Sequence, residues 1–117
     1  MKKIKVAIFI FLVALATGIF NFLIVESTAK RLESYLDSTE KDPQLASEMS
    51  AFWERRSGIL SIFVHHDVID KITRSVIKTK TAAESGNDYF KKSQISVTRA
   101  LVKTLKESDE ISLKNVL

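Results

Sequence analysis

The sequence predicts an all-α protein: an N-terminal transmembrane helix that continues into a small antiparallel bundle of three to four helices. Three observations predict it. The 117 residues include only three Gly and one Pro, too few for the turns of an all-β fold. Residues 6–25 form an uncharged, largely apolar run. The remainder carries apolar positions spaced three and four apart, the period of a helix with one buried face. The length allows one domain, and the absence of Cys excludes a disulfide scaffold, a thiolate zinc site and a cysteine nucleophile.

The first element is the apolar run, VAIFIFLVALATGIFNFLIV. Twenty residues of helix rise about 30 Å, the thickness of a bilayer's hydrocarbon core. Lys2, Lys3 and Lys5 precede it with no acid, so the positive-inside rule places residues 1–5 in the cytoplasm and residues 26–117 outside. These lysines account for most of the net charge of +4; residues 26–117 hold 15 bases and 14 acids. The basic balance therefore marks membrane orientation, and no nucleic-acid partner is expected. The competing reading is a secreted protein, with a signal peptide cleaved near Ala16 in the small-x-small stretch Ala14-Leu15-Ala16. Cleavage there would leave TGIFNFLIV as an apolar new terminus, which favours retention of the anchor.

Nothing around Val25 breaks a helix, and Leu32, Tyr35, Leu36 and Thr39 extend a stripe beyond the span. One helix is expected from about Ile4 to Thr39. Asp42 suits an N-cap and Pro43 the first helical position, where no backbone donor is needed. The second helix then carries Leu45, Met49, Phe52, Trp53 and Arg56 on one face. Gly58 is either its end or an interior position. Residues 59–64 are apolar and β-branched enough to mimic a strand, but no second strand candidate exists to pair with them. The third helix has Ile62, Ile69, Ile72 and Val76 as its stripe. In Ser85-Gly86-Asn87, Gly86 suits a C′ position and Asn87 an N-cap. The fourth helix is expected to bury Phe90, Val97, Leu101 and Leu105, with Ile95 and Val102 flanking. The tail DEISLKNVL is expected to pack back onto the bundle.

Charge is uneven along the chain. Residues 26–70 hold five bases and nine acids, residues 71–106 nine bases and two acids. The simpler explanation is complementary helices within one bundle or between two chains. The other is a basic face for anionic lipid or wall polymer.

One constellation could carry chemistry. His66 and Asp70 are i, i+4 neighbours on a helix, a spacing that suits a divalent-metal pair or an imidazole oriented by a carboxylate. Two ligands make a weak site, and further ones would have to come from Asp37, Glu40 or Glu54. His65 falls in the apolar stripe and is expected as a hydrogen-bonded interior or interface histidine. No catalytic residues are expected: Ser57, Ser61, His65 and Asp70 lie on one short stretch that helical geometry does not converge, and no phosphate loop, dinucleotide fingerprint or nucleophile elbow is present. Trp53 is expected to serve packing or a partner, with Arg55 and Arg56 on the solvated side.

Trp53 in the second helix, the phrase FVHHDVIDKI and the ending EISLKNVL together resemble a domain-of-unknown-function family of short, N-terminally membrane-anchored helical proteins from spore-forming Gram-positive bacteria. The matching residues are Trp53, His66, Ile69, Asp70, Leu113, Asn115 and Leu117. The resemblance implies an anchored helical protein without an assigned reaction and draws attention to His66, Asp70 and Asn115; of these Asn115, with Trp53, is expected to serve packing or a partner. The expected function is a non-catalytic interaction or structural module outside the membrane. Its expected partners are the lipid bilayer and a second copy or another membrane protein; the alternative is a metal- or ligand-binding bundle centred on His66 and Asp70.

Overall fold

The computed structural model describes residues 1–116, and side chains as far as residue 107. Four helices follow one another: α1 (Lys2–Lys41), α2 (Leu45–Leu60), α3 (His66–Glu84) and α4 (Asp88–Val116), with no strand among the described residues. Each helix packs on two neighbours in the order α1, α2, α3, α4 and back to α1. Short connections make successive helices antiparallel. The molecule is 67 Å long and 21 Å wide, because α1 is 40 residues, about 60 Å of helix, and only its second half belongs to the ring.

α1 is uninterrupted, as its composition predicts. Its threonines do not disturb it, because the hydroxyls of Thr17, Thr28 and Thr39 each donate to the carbonyl four residues back, at 2.8, 2.6 and 2.7 Å. From Ile24 onward its inner face is buried through Val25, Ala29, Leu32 and Leu36. Against it lie Met49, Phe52, Trp53 and Leu60 of α2, Ile69, Ile72 and Val76 of α3, and Ile95, Val102 and Leu105 of α4.

The connections show the local chemistry that stops and starts these helices. Asp42 Oδ1 accepts from the Gln44 amide at 3.1 Å, but residues 43 and 44 form a turn and α2 begins at Leu45, two residues later than Pro43 suggested. α2 runs through Gly58 to Leu60. The expected stripe of α3 is corrected here: Ile62 lies in the turn before α3 and is 75% exposed. His65 is corrected too. It is exposed, and its Nδ1 accepts from the Asp67 amide at 3.3 Å as the N-cap of α3. Gly86 adopts φ +73°, the left-handed conformation favoured after a helix end. Asn87 Oδ1 then accepts from the Phe90 amide at 3.0 Å, so this junction is as expected. α4 continues to Val116 instead of ending before a separate tail.

The buried face of α4 is rotated from the one expected. Phe90 and Val97 are 40% and 48% exposed, whereas Lys91, Ile95, Thr98, Val102 and Leu105 are buried. Thr98 sits inside because α3 offers matching hydroxyls. Its Oγ1 lies 2.6 Å from Ser75 Oγ and 2.8 Å from Thr79 Oγ1, and 3.0 Å from the Gln94 carbonyl oxygen. Replacing Thr98 by Val keeps the shape but removes the 2.6 Å partner of the Ser75 hydroxyl, which then has only the longer contact from Gln94 Nε2 at 3.5 Å, so Thr98→Val is expected to destabilise the bundle by about 1–2 kcal/mol. Chemical denaturation followed by circular dichroism measures it.

Candidate functional site

The largest feature that packing leaves unexplained is the first half of α1. Ile4, Val6, Ile8, Phe9, Ile10, Phe11, Leu12, Val13, Leu15, Ile19, Phe20 and Leu23 are all exposed. In water this would be an untenable apolar surface. It is the one helix among the described residues long and apolar enough to cross a membrane. Lys2, Lys3 and Lys5 stand exposed at its tip. Asn21, near the other end, is half-buried; its Oδ1 is shielded and has no hydrogen-bond partner among the described residues.

The bundle accounts for much of the uneven charge. Arg99 Nη2 lies 2.8 Å from Asp37 Oδ1 and 3.8 Å from Glu40 Oε1, and Lys106 Nζ 3.4 Å from Glu33 Oε1. Buried Lys91 donates to the Glu40 carbonyl oxygen at 3.1 Å and faces Asp88 Oδ1 at 3.4 Å. Hydrogen bonding from Lys92, then its charge and the hydrogen bond from Lys91, hold the Asp88 carboxyl below the ordinary carboxylate value of 3.8. The basic α4 thus rests on the acidic outer part of α1.

The bases of α3 are different. Lys71, Arg74 and Lys78 form no ion pair among the described residues. With Ser75 of α3 and Gln94, Val97 and Leu101 of α4 they line an open groove of about 230 Å³. Its lining combines three basic side chains with two aliphatic ones, Val97 and Leu101, and the neutral polar Ser75 and Gln94. The excess of bases after residue 71 is plain in the sequence, but Val97 falls on the stripe expected to be buried. The missing signal was the helix register, which turns Val97 outward.

His66 and Asp70 stand exposed at the start of α3. No group of three or more His, Asp or Glu able to hold a metal occurs among the described residues. Of the further ligands considered, Asp37 and Glu40 face Arg99 instead. Because both His66 and Asp70 are solvated, His66→Ala is expected to change stability by less than about 0.5 kcal/mol. Thermal unfolding with and without zinc checks both this and the metal pairing.

Trp53 is a core residue. It is 2% exposed, and its Nε1 donates to Thr73 Oγ1 at 2.9 Å. Beside it Phe52 receives the guanidinium groups of Arg31 and Arg56 at 4.6 and 5.2 Å from its ring centre, so Arg56 is a packing residue as well as a solvated charge. The side chain of Asn115 and the whole of Leu117 lie outside the described residues.

Comparison with curated proteins and with solved structures gives no match. A family model does match, over residues 24–116, a segment that starts where α1 first becomes buried. That segment is most of the chain, and the protein belongs to the family described as a domain of unknown function, DUF4363.

Proposed function

We propose that this protein is a single-pass membrane protein, with its N-terminus in the cytoplasm and its bundle on the outer face, where it presents helical surfaces to a second copy or another membrane protein. The observation that carries the reading is the change within α1 from exposed apolar residues to core at Ile24. A soluble helix hides its apolar face along its whole length; this one hides it only where other helices are present. The three lysines at the tip support the orientation. The α3–α4 groove, basic and aliphatic together, supports an interaction role, since such a surface suits an amphipathic acidic segment better than a small substrate. The internally bonded hydroxyls of Ser75, Thr79 and Thr98 are structural, which supports a non-catalytic role.

Two measurements on cells without a wall test this. Intact mass of the membrane-extracted chain is expected to retain residues 1–16, and external protease is expected to digest the bundle. A freely soluble chain lacking those residues, or a bundle that external protease cannot reach, overturns the proposal.

A further inference from the structure

The two ends of the bundle are chemically different. At one end lie the α1–α2 connection, Lys41-Asp42-Pro43-Gln44, and the α3–α4 connection, Glu84-Ser85-Gly86-Asn87-Asp88. Both are polar and charged. The other end holds the C-terminal part of α4, which is charged in sequence, and the α2–α3 turn, which lies within an uncharged run, SGILSIFVHH, spanning residues 57–66 between Arg56 and Asp67. In this turn Ile62 is 75% exposed and Ile59 at the end of α2 is 43% exposed, with Phe63 and Val64 half-buried beside them. A loop tip ordinarily carries polar residues; this one has Ser61 and His65 but no charge, and its most prominent side chain is Ile62.

Its height along α1 gives the reason. The rings of Tyr35 and Phe52 meet at 5.7 Å, which sets the antiparallel register of α1 and α2. Leu60 is eight residues beyond Phe52, and eight residues back from Tyr35 is Ser27. Helices of equal rise therefore put Leu60 level with Ser27. The Trp53–Thr73 hydrogen bond likewise puts Leu60 level with His66. The turn between them lies one step further toward the N-terminus of α1, beside Ile24 and Leu23, where α1 changes from core to exposed apolar helix.

We infer that the α2–α3 turn is a second membrane contact, with Ile59 and Ile62 set into the outer interfacial layer of the bilayer and His65 and His66 at headgroup level. The inference rests on α1 crossing the membrane. The occupant is lipid because the exposed side chains continue the apolar surface of the span: Phe20 and Leu23 of α1 are also more than half exposed. The contact fixes the bundle upright and fixes its rotation about α1. It holds the groove of Lys71, Arg74 and Lys78 at a set height and direction, with the long axis of the groove along the membrane normal.

The chain has no cysteine, so single labels are straightforward. The full-length protein carries an environment-sensitive fluorophore at Thr17→Cys, Ile62→Cys or Ser85→Cys, in phosphatidylcholine–phosphatidylglycerol vesicles containing lipids spin-labelled both near the headgroup end and near the middle of their chains. Ile62 is exposed, so its replacement leaves the fold intact. The expected result is severalfold stronger quenching at positions 17 and 62 than at 85, with position 62 shielded from aqueous iodide. Quenching at 17 but not at 62 overturns the turn contact and leaves the anchor standing. Absence of quenching at 17 removes the anchor and this inference with it. Equal quenching at 62 and 85 means a bundle lying flat, and also overturns it.

Discussion

Trp53→Ala is expected to cost the bundle about 3–5 kcal/mol, the range for removing a large buried aromatic side chain. Trp53 is the largest member of the shared core, and its ring is buried where α2 meets α3, bonded to Thr73. A domain of this size has a net stability in the lower part of the usual range of about 5–15 kcal/mol. The substitution thus removes a large fraction of the whole. Trp53→Phe separates the two contributions of the residue. It keeps most of the apolar contact and loses the indole donor, while Thr73 Oγ1 still donates to the Ile69 carbonyl oxygen at 2.8 Å. No buried donor is left stranded, and the expected loss is about 1–2 kcal/mol. Urea unfolding of the full chain in detergent, followed by circular dichroism at the helix band, measures both. A loss below about 1 kcal/mol for Trp53→Ala shows that Trp53 does not close the core, and contradicts the packing described here.

The sequence made α1 legible because its two halves use different but equally plain patterns, an uncharged run and then a helical stripe. The α3–α4 junction was legible because glycine and asparagine have specific backbone chemistry at Gly86 and Asn87. The face of α4 was not. An apolar stripe drawn through Phe90, Val97 and Leu101 passes over Lys91 and Thr98, and polar residues are ordinarily left out of a core. Burial of Thr98 becomes favourable only when Ser75 and Thr79 of another helix supply its hydrogen bonds, and that partnership is invisible along a single helix. The N-cap of α3 was missed for a related reason: a histidine ring nitrogen does the work that Ser, Thr, Asp or Asn usually does.

The candidate site divides in the same way. The span was readable from composition. The basic groove needed the ion pairs of the neighbouring helix pair, since Arg99 and Lys106 are engaged with α1 and the bases of α3 are left to face outward. In the sequence these bases look alike. What distinguishes them is which helix packs on the acidic part of α1: α4 does, and α3 lies across the ring from it.

Substitution within the span is expected to act by threshold. Residues 6–25 contain fourteen Leu, Ile, Phe and Val, each favouring insertion by about 0.3–0.6 kcal/mol near a helix centre, so together they supply about 4–8 kcal/mol. An arginine at the centre opposes this by about 2.5–3.5 kcal/mol. Leu12→Arg should therefore leave the protein resistant to alkaline carbonate extraction, while Leu12→Arg with Leu15→Arg should release most of it from the membrane. Neither residue touches the bundle core, which starts at Ile24, so the released double variant should keep the helical content and unfolding transition of the native bundle. Loss of the fold together with the membrane would mean that lipid contact is part of the bundle's stability. Retention of the double variant in the membrane fraction would mean that something other than residues 6–25 holds the chain there.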